Sequence, residues 1–277
     1  MPASRSSCAS SVAGSRVSTR TIWSQARRCS GVSQRGVFEA GVTPPIYLTL
    51  EPIAPSLRTE SSNLNYLEAV MRVAIIGAGN VGAGLAEAAT TAGHEVTVVA
   101  AHQENAVEVA GNVGAKAAAT AAEAAQGADV VVLAVPAGAA AGVLREVKGA
   151  GAVVVDATNP LNDTFSDLTT GGTSHAEQLA AGAPGVKLVK AFNTVFASRL
   201  GAPSEDGRPL DGFYAGDDDA AKQVAADLLA SLGFRPVDAG SLRMARSLEE
   251  LAFLNISLNA RNGWTWQSGW RLAGPTA

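Results

Sequence analysis

The sequence predicts an α/β fold: a doubly wound, mostly parallel sheet with a short C-terminal helical extension. Three observations carry that prediction. From Met71 onward, short Val/Ile/Leu runs alternate with Ala-rich helical segments. The runs are continuously apolar rather than alternating, as strands covered on both faces must be. The first run also passes directly into Gly77-Ala78-Gly79-Asn80-Val81-Gly82, a glycine-rich turn that opens a helix.

The elements follow in order. A strand over 72–76 (RVAII) leads to a helix over 80–92, closed by Gly93, which tolerates the left-handed geometry of a helix end. A second strand over 95–100 (EVTVVA) precedes helical sequence at 104–112 and 121–126, on either side of a short strand near 115–117. DVVVLAV (129–135), AVVVDA (152–157) and VKLVKA (186–191) give the fourth to sixth strands. Two more are expected at 212–215 and 235–237, separated by a helix over 217–232. The last helix, 241–262, carries Leu248, Leu251, Leu254 and Leu258 at a 3–4 spacing that predicts one buried stripe. Trp264, Trp266 and Trp270, three of the four tryptophans, then close the chain. They are expected to pin the tail to the domain; a subunit interface or a wall of the site are the alternatives.

Residues 1–70 form a separate object, so the domain division is 1–70 and 71–277. The first segment holds seven Arg, no Lys and four Glu, net +3, and both cysteines, Cys8 and Cys29. Residues 1–38 are Ser- and Arg-rich, contain no acid, and lack the apolar core of a secretory signal. They read either as an organelle transit segment or as sequence upstream of a true start at Met71, and in both cases as a disordered extension. Pro44, Pro45, Pro52 and Pro55 mark linker. Residues 71–277 carry 14 basic and 21 acidic side chains, net −7, which argues against nucleic-acid binding. The absence of cysteine there excludes a disulfide framework or thiolate chemistry. His94, His102 and His175 are scattered, so no metal site is expected. No apolar run reaches the ~18 residues of a membrane span. The expected setting is the cytoplasm, with organelle import as the alternative for a genuine transit segment.

The glycine turn sits within a βαβ unit of about 30 residues, the context that makes it a dinucleotide-binding, Rossmann-type signature. Gly77 permits the tight turn, Gly79 lets backbone approach a pyrophosphate, and Gly82 lets helix pack on strand. The helix amides then face the phosphates with the positive end of the dipole. At the tip of the second strand stand Ala100-Ala101-His102-Gln103, with no carboxylate to bond the ribose hydroxyls of NAD. That absence tolerates the extra phosphate of NADP, which His102 and Gln103 are placed to meet; NAD stays open.

Taken together these residues resemble the coenzyme F420-dependent NADP oxidoreductases. The likeness runs through MRVAIIGAGNVG, GHEVTV, ADVVVLAVP, DATNP (156–160), VKAFNTV (189–195) and GDDDAAKQVA (216–225), then the segment 238–242 leading into Arg246 and Glu249. It covers essentially all of 71–277. The resemblance implies hydride transfer between NADP(H) and a deazaflavin or similar planar partner, with positioning rather than a catalytic side chain doing the chemistry. By the same resemblance, Gly77, Ala78, Gly79, Asn80, Val81 and Gly82 hold the pyrophosphate, with Ala101 and His102 at the ribose. Ala134, Val135 and Pro136 skirt the ribose and nicotinamide, Asn159 stands at the carboxyl edge, and Ala191 lines the nicotinamide. Asn193, Thr194, Val195 and Leu242 fall on the substrate side, where Arg246 meets an anionic substrate group. The chain departs from the family at Ala100-Ala101, where a Ser-Arg pair is usual, and at Asn193, where some members have histidine. The partner is a small molecule; a homodimer is an open expectation.

Other features have structural readings. Ser174-x-x-Glu177 is a capping box, with His175 solvent-facing in the first turn. Asp217-Asp218-Asp219 is an acidic helix start. Arg246 and Glu249 are spaced to pair on one helix face. Lys190 sits in an interior strand, which argues against catalysis. Gly171-Gly172 falls in a long loop, 161–173, suited to a lid. Two other functions compete: an NADP-dependent imine or carbonyl reductase, disfavoured by the roughly 40 residues left after Asp238, and a non-catalytic dinucleotide-sensing module.

Overall fold

The computed structural model describes residues 70–274. The expected extension, with its two cysteines and linker prolines, lies outside the described residues apart from Val70. Among the described residues ten strands occur: β1 (Arg72–Ile76), β2 (Glu95–Val99), β3 (Lys116–Ala117), β4 (Val130–Leu133), β5 (Val153–Asp156), β6 (Leu188–Ala191), β7 (Ser204–Glu205), β8 (Arg208–Pro209), β9 (Asp211–Gly216) and β10 (Arg235–Asp238). The helices are α1 (Asn80–Thr91), α2 (Gln103–Val113), α3 (Ala121–Ala125), α4 (Ala137–Val147), α5 (His175–Gly182), α6 (Ala197–Leu200), α7 (Asp219–Ser231) and α8 (Ala245–Asn262).

Eight strands join in the order β10-β9-β6-β5-β4-β1-β2-β3. From β6 to β3 every neighbouring pair is parallel. β9 meets β6 antiparallel, and β10 runs parallel to β9, so the last two strands form a reversed block on one edge. The sheet is therefore mostly parallel, as expected. The reversal has a local cause: the short α6 and the β7–β8 hairpin connect β6 to β9 without a full helical crossover back across the sheet.

Each strand feeds two cores, because successive side chains point to opposite faces. Val73, Ile75, Val130 and Val132 pack with Leu85, Ala89, Ala106, Leu228 and Leu229 of α1, α2 and α7. Ala74, Ile76, Val131 and Leu133 pack with Ala121, Ala140, Leu144 and Leu179 of α3, α4 and α5. Two covered faces explain the unbroken apolar strands.

The last helix departs from expectation twice. Its first turn is a separate 3-10 turn, Leu242–Met244. The predicted leucine stripe is also not the buried one: Leu248 is buried, Leu251 and Leu258 are half-buried, and Leu254 is 49% exposed. The inner face is Ala245, Leu248, Glu249, Ala252, Asn255 and Asn259. Asn255 and Asn259 face inward because they bind the tail. Asn259 donates to Ser268 Oγ at 2.7 Å, and Asn255 Oδ1 accepts from the same hydroxyl. The tail is pinned, as expected of its tryptophans. Asp211 N donates to the Trp270 carbonyl, and the Trp266 ring stands edge-on to Phe196, with centroids 5.5 Å apart.

Candidate active site

The strand order reverses beside β1, so the carboxyl ends of β1 and β4 splay apart, and a doubly wound sheet binds its ligand in that crevice. The glycine turn fills one wall. Gly77 has φ +125°, and a Cβ there would stand 2.1 Å from the Ala134 carbonyl oxygen. A Cβ on Gly82 would stand 1.8 Å from the Gly77 carbonyl oxygen. Those two glycines are demanded by packing. Gly79 is different: a Cβ there would meet nothing within 4 Å. Its requirement is an open approach to backbone.

That approach leads to an unspent helix terminus. α1 starts at Gly79 with no side-chain cap and no acid in its first turn. By contrast α3, α5 and α7 are capped by Thr120, Ser174 and Asp218. Four amides at a helix start need acceptors, and here no side chain among the described residues caps the helix. Gly79 and Asn80 are exposed, and Ala78 and Val81 are half-buried. The chemistry of the donor set fits a pyrophosphate. Ala134 and Val135 border the turn, half-buried, and Pro136 is the exposed N-cap of α4. Ala101 and His102 are exposed beyond β2, where His102 Nδ1 lies 3.8 Å from Glu104 Oε1.

Across the crevice, β5 and β6 end in a polar shelf. Asn193 Nδ2 donates to Asn159 Oδ1 at 3.0 Å and to the Leu248 carbonyl at 3.0 Å, while Asn159 Nδ2 donates to the Asn193 carbonyl at 2.8 Å. The reciprocal pair ties the two strand ends to α8. Asn193 and Thr194 are 5% and 4% exposed, and Asn193 Oδ1 and Thr194 Oγ1 have no partner among the described residues. Before them Phe192 adopts φ +62°, an uncommon geometry for a bulky residue. Its ring is held edge-on to Phe234 at 6.4 Å in the core. Backbone strain of this kind persists where packing over-determines it.

Beneath the shelf lies a buried ion cluster. Lys190 Nζ is 3.0 Å from Asp156 Oδ2 and 3.0 Å from Glu249 Oε1, and donates to the Thr158 carbonyl at 2.6 Å. Lys190, Asp156 and Glu249 are at most 1% exposed. Glu249 also accepts from His175 N at 3.0 Å and Ala176 N at 3.3 Å, so its charge lies on the start of α5. Asp156 Oδ1 accepts from Thr158 N at 2.9 Å. With two carboxylates, an ammonium and a helix terminus, the cluster is paired throughout, as burial of charge requires.

Several expectations are corrected by these contacts. Arg246 and Glu249 do not pair: Glu249 turns inward to Lys190, and Arg246 reaches across to Glu177 with two hydrogen bonds of 2.7 Å. Arg246 is thus engaged by an acid of the protein rather than held out for a substrate anion. The guanidinium holds the Glu177 carboxyl at about 2, aided by the Ser174 amide and hydroxyl. The capping box is present, with Glu177 N donating to Ser174 Oγ at 3.1 Å and Ser174 N to Glu177 at 2.8 Å. His175 is half-buried rather than solvent-facing, and its Nε2 is buried with no hydrogen-bond partner among the described residues. Leu242 is 5% exposed and packs in the core of the α4–α5 face. Ala191 lies wholly inside β6 and Val195 is half-buried beyond it.

The ion cluster escaped sequence reasoning because its three members come from β5, β6 and α8. The available signal was a lysine inside an apolar strand, which demands buried acids. The fold and this site have relatives. Residues 72–160 match the family described as NADP oxidoreductase coenzyme F420-dependent. An F420-dependent NADP reductase of Methanothermobacter thermautotrophicus is 34% identical over 212 residues, covering 70% of this chain and 91% of the relative. Its counterpart in Methanothermobacter marburgensis is 33% identical over 214 residues, covering 69% and 94%. Among solved structures, a provisionally assigned F420-dependent NADP reductase from Arthrobacter sp. FB24 superposes with TM-score 0.66 at 30% identity, over 73% of this chain and all of that one. An imine reductase of Myxococcus stipitatus, at 21% identity and TM-score 0.53, shares the fold. Among the described residues no helix is long and apolar enough to cross a membrane. At 34% identity over 91% of the Methanothermobacter thermautotrophicus relative, the chain belongs to the F420-dependent NADP reductase family.

Proposed function

We propose that this chain transfers hydride between NADP(H) and a deazaflavin. The observation that carries the reading is the uncapped start of α1 behind the open Gly79, facing the shelf of Asn159, Asn193 and Thr194. In this reading the amides from Gly77 to Gly82 bind the pyrophosphate, and the dipole of α1 offsets its charge. Ala101 and His102 accommodate the adenosine ribose; with no carboxylate there, a 2′-phosphate meets no repulsion. Ala134, Val135 and Pro136 wall the nicotinamide on the β4 side. When bound, the two cofactors supply the hydride donor and acceptor themselves. Asn193, Thr194 and Val195 position the deazaflavin edge. The unpartnered Asn193 Oδ1 accepts and Thr194 Oγ1 donates or accepts at that edge. Catalysis is then positioning of two flat rings, and no side chain acts as nucleophile or obligatory acid.

The test is direct. Purified full-length protein is expected to interconvert NADP+ and NADPH with oxidation or reduction of F420, followed by deazaflavin absorbance. Tight NADP binding without turnover of any deazaflavin or flavin would reject the reading in favour of a sensing module.

A further inference from the structure

A cavity of about 750 Å³ is lined by residues of α6, the β7–β8 hairpin and the C-terminal tail. None of its lining residues belongs to the glycine turn or to the Asn159–Asn193 shelf, so it is a separate site. Its size is that of pockets that enclose small organic molecules. Arg199, Arg208 and Arg271 line it together with Glu205 and Asp206, an excess of one positive charge in a domain whose net charge is −7.

The hairpin's acid engages the inner arginine and leaves the outer one unpaired. Glu205 stands directly opposite Arg208 across β7–β8, where opposite charges stabilise a hairpin by pairing. Its carboxylate goes instead to Arg199, whose Nη2 donates to Glu205 Oε2 at 3.0 Å and to the Ser204 carbonyl at 2.6 Å. Arg199 is 8% exposed, and its Nε is buried with no acceptor among the described residues. A buried guanidinium donor in that state carries a desolvation cost that a ligand oxygen relieves. The Arg208 guanidinium is exposed, with no ion pair or hydrogen bond among the described residues.

The tail divides its residues in the same way. Ser268 Oγ is fixed between Asn259 and Asn255, the Trp270 carbonyl accepts from Asp211 N at 2.9 Å, and Leu272 N donates to Asp211 Oδ2 at 2.6 Å. Gln267, Gly269 and Arg271 alternate with those three and line the cavity, and they form no hydrogen bond among the described residues. Arg271 is thus exposed on a backbone pinned on both sides, which lowers the ordering cost of binding a ligand. Two unpaired guanidinium groups, a buried Nε, a carboxamide and a main-chain amide line one cavity. Planar guanidinium forks match the paired oxygens of phosphate and carboxylate groups.

We propose that this cavity is a second ligand site, for a small organic molecule carrying a doubly charged oxyanion (a phosphate ester or a polycarboxylate). Arg208 and Arg271 supply the charge, and Arg199 Nε, Gln267 and the Gly269 amide complete the donor set. The site is distinct from the dinucleotide crevice and stands whether or not the chain transfers hydride. A bound anion ties the hairpin to the tail, so occupancy is also read as stability.

The experiment titrates full-length protein calorimetrically with inorganic phosphate, glycerol 3-phosphate and citrate at fixed ionic strength, with and without saturating NADP. NADP fills the crevice, whose helix terminus has a phosphate affinity of its own. The NADP-loaded wild type is expected to bind an organic anion saturably, with Kd of about 1 mM or tighter. Arg208→Gln/Arg271→Gln, which changes exposed side chains only, is expected to weaken that binding at least about tenfold and to leave NADP affinity unchanged. Asp206→Asn, which removes the unpaired acid, is expected to tighten it about threefold. At ten times Kd the anion is expected to raise the wild-type melting temperature by about 3–6 °C and to leave that of the double variant unmoved. Tighter binding of glycerol 3-phosphate assigns a phosphate ester, and tighter binding of citrate a polycarboxylate; either supports the site. No saturable binding to the NADP-loaded wild type, binding of inorganic phosphate alone, or equal affinity in wild type and double variant overturns the proposal. Failure of NADP itself to bind rejects the proposed function, and the comparison of wild type with double variant without NADP then still decides this site.

Discussion

Helices α1 and α5 return from the same edge of the sheet, yet the protein treats their N-termini in opposite ways. At α5 it supplies every acceptor itself: Ser174 Oγ takes Glu177 N, and Glu249 takes the His175 and Ala176 amides. Arg246 then neutralises the capping Glu177. At α1 no side chain caps the helix, no acid stands in the first turn, and the residue before it is a glycine with open space above. The missing cap is not itself the signal, since α2, α4, α6 and α8 also start without one; what sets α1 apart is an uncapped start behind a glycine with open space above it. The closed side gives rigidity to the shelf; the open side leaves free energy for binding.

The comparison can be broken hardest on the closed side. Lys190→Met strands two buried carboxylates and is expected to cost about 3–5 kcal/mol in chemical denaturation. Replacing Asp156, Lys190 and Glu249 together by Leu, Met and Leu is expected to recover part of that loss. Recovery stays incomplete because Glu249 also serves the α5 amides. If Lys190→Met alone is neutral, the cluster is not what holds β5, β6 and α8 together.

On the open side, glycines that look equivalent in sequence are expected to separate. Gly82→Ala forces backbone apart and is expected to lose about 2–3 kcal/mol of stability. Gly79→Ala is expected to leave the melting temperature unchanged while raising the NADP Kd at least about tenfold. Equal losses of stability in both variants would refute the distinction drawn from their surroundings. A smaller effect is expected from Ala101→Arg, which adds a guanidinium at the ribose end. The ratio of NADP to NAD affinity should rise about tenfold, measured by competitive binding.

The mildest test is pH. The Glu177 carboxyl is held at about 2, below its ordinary 4.5, chiefly by the Arg246 guanidinium. A depressed carboxylate stabilises the fold fully above its unfolded value and loses that contribution as pH falls toward the folded one. Glu177→Gln should therefore flatten the decline in stability between about pH 4.5 and 2 without altering it near neutrality in slope. An acid limb as steep as the wild type's would assign the effect to other carboxylates.

Much of the open side was readable from the chain. Strand β1 and the glycine turn are contiguous, and their roles depend on local geometry that the residue types dictate. The capping box at Ser174 was readable for the same reason. The α8 stripe was misread because leucine spacing reports which residues prefer burial, not which face meets the sheet. Glu249, Asn255 and Asn259 won the inner face through partners on β6 and the tail. The β7–β8 hairpin was missed although Asp206-Gly207, both at positive φ, is a turn pair of the expected kind.

The sequence by itself determined the alternating architecture, the two-faced strands and the dinucleotide turn, because each rests on neighbours within about 30 residues. Only the tertiary structure decided the antiparallel β9, the Lys190 cluster, the capture of Arg246 by Glu177 and the arginine cavity. Those depend on contacts between residues as far apart as Glu177 and Arg246, or Arg199 and Arg271, which no local pattern encodes. Charge makes the difference sharpest: periodicity can say that a lysine is inside, but only packed partners decide whether its charge is spent on the fold or kept for a ligand.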